Sequence, residues 1–81
     1  MAIHYPQFRK YKNQQGYFKL LSPTEWEEIK IVGNNHSLHQ FTVKIMPDRN
    51  LLHDMTFDYN ENWEAIREEE YEMIKKKIAH P

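Results

Sequence analysis

The chain has to build its core without cysteine, and this limits its possible folds more than any other feature of the sequence. Disulfides, thiolate nucleophiles and cysteine-ligated zinc sites are all excluded, so packing alone must hold the 81 residues together. At this length folding buries only about 60 to 65% of the surface that the unfolded chain exposes, which favours large side chains. Aromatic residues supply them at 14% of the chain. We expect residues 1–81 to form a single small α+β domain.

The same absence of cysteine predicts a cytoplasmic protein, because secreted domains of this size often carry disulfides. Residues 1–6 lack the basic start and apolar run of a signal peptide. No stretch approaches the roughly 20 apolar residues that span a bilayer, so we expect no membrane partner.

Charge is unevenly distributed, although the formal net charge is only −1. Residues 1–24 carry four bases and no acid, whereas residues 58–72 carry seven acids and a single base, Arg67. This asymmetry indicates either a surface that binds a partner or two parts of the domain that neutralise each other.

The first 21 residues predict a β-hairpin, with strands near residues 8–12 and 17–21 joined through residues 13–16. The next segment, residues 24–32, is ambiguous. Ser22 as N-cap, Pro23 at the first helical position and Glu25 in a capping box favour a helix. The β-branched residues Ile29, Ile31 and Val32 favour a strand instead. We take the helix as the main prediction.

The second half of the chain predicts another hairpin followed by a helix. Residues 40–45 alternate between apolar and polar, residues 47–50 are typical of a turn, and residues 51–57 alternate again. A final helix is expected from Asn60 or Asn62 onwards, because acids crowd its beginning and lysines its end.

Together these elements predict the order ββα-ββα, with two helices on one face of a four-stranded antiparallel sheet. The other face would be open to solvent or to a partner. If residues 24–32 form a strand, the fold becomes a five-stranded sheet or partial barrel with a single C-terminal helix.

The sequence contains no motif typical of an enzyme, so we predict a protein without catalytic residues or cofactor. His36, His39 and His53 could in principle supply three imidazole ligands to a metal. Strand parity argues against their convergence, and we therefore predict no metal site.

Basic and aromatic residues alternate in the N-terminal hairpin, which makes it the best candidate for a binding surface. Rings that stack on bases and cations that follow phosphates are what single-stranded nucleic acid requires. The alternative is that the rings pack in the core while the lysines protect an edge strand from aggregation. The candidate residues are Phe8, Arg9, Lys10, Tyr11, Lys12, Tyr17, Phe18 and Lys19.

Glu70 projects from the apolar stripe of the predicted last helix, three residues after Arg67. A carboxylate at such a position has to be paired, has to reach solvent, or has to contact a partner. We therefore name Arg67 and Glu70 as interface candidates.

The function that these features favour is a non-enzymatic binding or adaptor module that acts through protein–protein association, with a homodimer as its leading form. Single-stranded RNA or DNA binding through the basic-aromatic hairpin is the alternative. The two differ in salt dependence, because phosphate contacts weaken steeply as salt is added.

Overall fold

The structure, a computed structural model, describes residues 4–78. These residues form a five-stranded antiparallel sheet and two helices, which confirms the α+β class. The main prediction of four strands is wrong, whereas the alternative of a five-stranded sheet is confirmed. The strand order is β4-β3-β2-β1-β5. The elements are β1 (Gln7–Tyr11), β2 (Gly16–Ser22), β3 (Glu25–Val32), β4 (Asn35–Thr42), α1 (Met46–Phe57), β5 (Trp63–Ala65) and α2 (Glu68–Lys75).

The N-terminal hairpin lies where it was predicted. β1 and β2 pair antiparallel, with Phe8 opposite Lys19 and Arg9 opposite Phe18. Gln14 adopts a φ of 63° in the connecting turn. Because side chains alternate along each strand, this hairpin contributes apolar residues to both faces of the sheet.

The helix predicted for residues 24–32 is wrong, since this segment is strand β3. Its expected N-cap serves a turn instead: the Ser22 hydroxyl accepts the Thr24 N–H at 3.2 Å. β3 pairs with β2 on one side and with β4 on the other, so it lies between them in the sheet. Gly33, at a φ of 62°, allows the tight connection from β3 to β4.

The strand predicted for residues 51–57 and the turn before it are also wrong, because both lie in helix α1. Pro47 occupies the first turn of α1, where its missing N–H costs nothing. The buried residues Leu52, Met55 and Thr56 have the i, i+3, i+4 spacing of a helix face. The strand expected at residues 40–45 lies earlier, at Asn35–Thr42.

The C-terminal helix exists but begins at Glu68, later than predicted. Trp63, expected in that helix, lies in the short strand β5, which pairs with β1 opposite Tyr11. The predicted arrangement with a single C-terminal helix therefore fails as well, because α1 precedes β5.

The two helices pack on opposite faces of the sheet, which corrects the prediction that they share one face. Phe18 belongs to the apolar cluster that contains Met55 of α1, whereas Tyr17 belongs to the cluster that contains Tyr71 of α2. Tyr17 and Phe18 are neighbours on β2 and so point to opposite sides. We call these sides the α1 face and the α2 face. No helix within residues 4–78 combines the length and apolar character needed to cross a membrane.

Candidate functional site

Half of the residues predicted to bind nucleic acid lie in the core. Phe8, Arg9, Tyr17 and Phe18 are all at most 7% exposed. Phe8 and Tyr17 pack on the α2 face, and Phe18 packs on the α1 face. In this fold these rings cannot stack on bases, because their surfaces are already covered.

Arg9 is buried and holds the end of α1, and no carboxylate of residues 4–78 forms an ion pair with it. Its Nε donates to the carbonyl oxygen of Met55 at 2.8 Å, and a terminal nitrogen donates to that of Thr56 at 3.4 Å. The guanidinium lies 4.1 Å from the centre of the Tyr59 ring. Burial lowers the pKa of Arg9. A cation at the negative end of a helix dipole is favourable, so Arg9 fastens α1 to β1.

Lys10 is neutralised by acids from the other half of the chain. Its ammonium lies 2.8 Å from a Glu70 carboxylate oxygen and 3.4 Å from one of Glu64. The hydrogen bond with Glu70 raises the pKa of Lys10. Glu70 therefore pairs with Lys10 of β1, and Arg67, the other interface candidate, lies exposed at the N-cap of α2.

The other three hairpin candidates differ in their exposure. Lys12 is exposed, whereas Tyr11 and Lys19 are half-buried. The Tyr11 ring stacks on Trp63 at a centroid distance of 5.7 Å, and the Lys19 ammonium lies 5.9 Å from the Phe8 ring centre. Of the eight candidate residues, Lys12 alone is exposed.

The acidic residue Glu27 also makes its contacts within the domain. It is 4% exposed on the α2 face, where it accepts the Tyr71 hydroxyl at 2.8 Å. Lys75 lies 3.3 Å from the same carboxylate oxygen. These contacts dock α2 on the sheet.

An accessible and largely polar surface lies elsewhere, along strand β4. Within residues 4–78 this strand pairs with β3 alone, and six of its eight residues are exposed. Natural edge strands are usually protected by charges, proline, bulges, short length or a covering element. β4 contains no Lys, Arg, Asp, Glu or Pro, and its register with β3 is regular. The opposite edge, β5, is only three residues long.

The direction of the β4 backbone follows from two hydrogen bonds. The Val43 N–H donates to the Thr24 carbonyl at 2.8 Å, and the Ile31 N–H donates to the Gln15 carbonyl at 3.2 Å. Backbone groups alternate in direction along an antiparallel strand, so the odd-numbered residues of β4 face β3. The N–H and C=O groups that face away from the sheet belong to His36, Leu38, Gln40 and Thr42.

The side chains of β4 flank this row of backbone groups. On the α1 face, Phe41 stacks on Trp26 at a centroid distance of 5.1 Å. His39 lies between Phe41 and Ser37, and its Nε2 is 3.1 Å from the Ser37 hydroxyl oxygen. Leu38 packs against the cluster on the α2 face.

Exposed apolar side chains lie near both ends of β4. Val32, just before the β3–β4 turn, is 62% exposed. Ile45 and Met46, just after the strand, are 61% and 64% exposed. The free strand edge thus continues at each end into apolar surface.

Sequence reasoning missed this edge, because it treated the histidines of β4 as possible ligands and began the predicted strand five residues too late to include them. His36 and His39 lie on opposite faces of β4, since their numbers differ in parity. His53 lies on α1. Across residues 4–78 there is no cluster of three or more His, Cys, Asp or Glu that could hold a metal ion. The available signal was the uncharged run of eight residues after the Gly33 turn.

Comparisons of the chain with protein-family models, with curated proteins and with solved structures found no match.

Proposed function

We propose that this domain is a non-enzymatic protein-binding module that associates with a second copy of itself through the edge of β4. The observation that carries the proposal is an eight-residue edge strand without charge, proline or bulge, uncovered within the described residues. Two such edges can satisfy each other's free backbone groups by antiparallel pairing.

The charge distribution supports the same proposal. Lys10, from the basic residues 1–24, is paired with Glu64 and Glu70 from the acidic residues 58–72. These two parts of the chain therefore meet inside one domain, which favours the uncharged edge as the surface for association. A cytoplasmic location belongs to the proposal and rests on the absence of cysteine.

Binding of single-stranded nucleic acid is the weaker alternative. It needs exposed rings and free cations, yet Phe8, Tyr17 and Phe18 are buried and Lys10 is paired. Among the cations of the hairpin Lys12 alone is exposed, and one exposed lysine gives too few phosphate contacts for appreciable affinity.

Sedimentation equilibrium on three proteins tests the proposal: the natural chain and the variants Gln40→Pro and Gln40→Ala. Proline at position 40 removes an N–H that points away from β3, so the sheet keeps its own hydrogen bonds. Alanine at the same position keeps that N–H and is the matched control. We expect the natural chain and Gln40→Ala to form dimers as concentration rises, and Gln40→Pro to remain a monomer.

A natural chain that stays monomeric up to submillimolar concentration would overturn the proposal. Retention of a dimer by a folded Gln40→Pro variant would also overturn it, because the association would then use another surface. Titration with a single-stranded oligonucleotide at low salt examines the alternative. Tight, salt-sensitive binding that is lost in Lys12→Ala would favour nucleic acid over self-association.

A further inference from the structure

We infer that the two copies pair antiparallel about a two-fold axis that passes between their His39 residues, which joins two five-stranded sheets into one. This inference rests on the proposed function and adds the register of the interface and its central residue. It follows from the direction of the backbone groups in β4 and from the number of hydrogen bonds that each register can form.

Backbone direction excludes half of the conceivable registers. A hydrogen-bonded pair in an antiparallel ladder needs two residues whose backbone groups point toward each other. Asn35 faces β3, whereas Thr42 faces outward, so these two residues cannot lie opposite each other across the interface. The same holds for every register that places an odd-numbered residue opposite an even-numbered one. The symmetric registers that remain are centred on a single residue, and those with the greatest overlap are centred on Leu38, His39 or Gln40.

The number of hydrogen bonds selects among these three. Centred on His39, the pairing places His36 opposite Thr42 and Leu38 opposite Gln40, and symmetry repeats both pairs. All four outward residues are then used, and two bonds in each of four pairs give about eight hydrogen bonds. A register centred on Leu38 or Gln40 leaves one outward-facing residue beyond the end of the partner strand. It therefore forms only about six hydrogen bonds.

Side-chain chemistry is compatible with the His39-centred register. The two His39 side chains meet on the α1 face as a non-hydrogen-bonded pair, where side chains come closest. Ser37 lies opposite Phe41, so a small residue faces a large ring. No residue of β4 carries a permanent charge, and therefore no fixed like charges meet.

The same register brings together the exposed apolar residues that lie just before and just after β4. Antiparallel pairing places the end of one strand beside the beginning of the other. Ile45 and Met46 of one copy then approach the turn that follows Val32 of the second copy, and all three are more than 60% exposed in the single chain. Their burial adds apolar area to an interface that strand pairing alone would leave small.

Cross-linking of single-cysteine variants tests the register, because the natural chain has no cysteine. The variants are His39→Cys, Leu38→Cys and Gln40→Cys, each oxidised with diamide at a concentration where the dimer forms. Across a non-hydrogen-bonded pair the Cα atoms are about 4.5 Å apart, which suits a disulfide. In the His39-centred register the two copies of residue 38, and the two of residue 40, are diagonal neighbours about 7–8 Å apart. We expect His39→Cys to form a covalent dimer at least tenfold faster than the other two.

The outcomes separate this inference from the proposed function. Faster cross-linking of Leu38→Cys or Gln40→Cys would overturn the register while the β4 dimer stands. Slow cross-linking of all three variants, with sedimentation still showing a dimer that Gln40→Pro abolishes, would also overturn the register alone. A natural chain that is monomeric by sedimentation would overturn both. Mixing Ser37→Cys with Phe41→Cys gives a second check, since the inferred register predicts a mixed disulfide between them.

Discussion

His39 lies directly opposite Glu28 in the β3–β4 ladder, so an imidazole and a carboxylate share the α1 face near the free edge. Burial raises the pKa of Glu28, while the nearby His39 and Lys30 oppose that rise. Glu28 therefore lies directly across the ladder from His39, a residue of the strand edge through which we propose that two copies associate.

We predict that a permanent positive charge at position 39 weakens the dimer, and His39→Lys supplies that charge. Two lysine ammonium groups would meet near the axis and repel each other, because like charges directly opposite each other destabilise a strand pair. The groups around this position are Glu28 across the ladder, Lys30 diagonally, and Ser37 and Phe41 on its own strand. Sedimentation equilibrium at neutral pH measures the effect.

The matched control for that prediction is His39→Gln, which places an uncharged polar side chain at the same position. Its dimer should form about as readily as that of the natural chain. Equal dimerisation of His39→Lys and His39→Gln would contradict the placement of His39 at the axis.

Glu28→Gln is expected to stabilise the monomeric fold at neutral pH. Burial raises the folded-state pKa of Glu28 above its unfolded value, so the fold binds that proton more tightly than the unfolded chain does. The ionised carboxylate therefore costs stability above the folded pKa, and this cost disappears as pH falls through it. Thermal unfolding under dilute, monomeric conditions should show a higher Tm for the variant at pH 7, with the difference shrinking in acid. Glu25→Gln, at an exposed position of the same strand, should change little.

Tyr71→Phe should destabilise the domain by about 1–3 kcal/mol, because the buried Glu27 carboxylate loses a hydrogen-bond donor. The Tyr71 hydroxyl lies 2.8 Å from that carboxylate. Lys75→Ala removes the other partner, a more exposed one at 3.3 Å, and should cost only about 0–1 kcal/mol. Urea unfolding of both variants makes the comparison. A larger loss from Lys75→Ala would show that the ion pair, rather than the hydroxyl, holds α2 to the sheet.

Arg9→Lys should also destabilise the fold, by about 2 kcal/mol, although it conserves the charge. The guanidinium reaches the carbonyl oxygens of both Met55 and Thr56, and a lysine ammonium cannot reproduce that fork. Lys12→Ala, at an exposed position of the same hairpin, is the control and should be close to neutral. If Arg9→Lys were equally neutral, Arg9 would not be what fastens the end of α1.

The sequence patterns predicted the fold class and the first hairpin. They also predicted a helix where β3 lies and a strand where α1 lies. Ser22 and Glu25 have the spacing of a capping box, yet the Ser22 hydroxyl closes a turn before β3. Leu51 to Phe57 alternate like a strand, yet Leu52, Met55 and Thr56 lie on the buried face of α1. In both segments local pattern permits two structures, and packing on the sheet selects one.

The candidate site was harder to predict, because the role of each of its residues depends on residues that are far away in the sequence. The basic residues Arg9 and Lys10 are visible in the sequence. The residues that accept their hydrogen bonds, Met55 and Glu70, come from much later in the chain. The uncharged run in β4 is equally visible. That it lies at an edge depends on the strand order, which no local pattern shows.

Amide hydrogen exchange followed residue by residue by NMR, at low and at high protein concentration, tests the association through β4 most directly. Ser37, His39 and Phe41 donate their N–H groups to β3 and should be protected at both concentrations. We predict that the amides of His36, Leu38, Gln40 and Thr42 exchange rapidly in the dilute monomer and become protected as the dimer forms. Rapid exchange of these four amides at a concentration where the protein is dimeric would contradict the account, because the β4 edge would then be free.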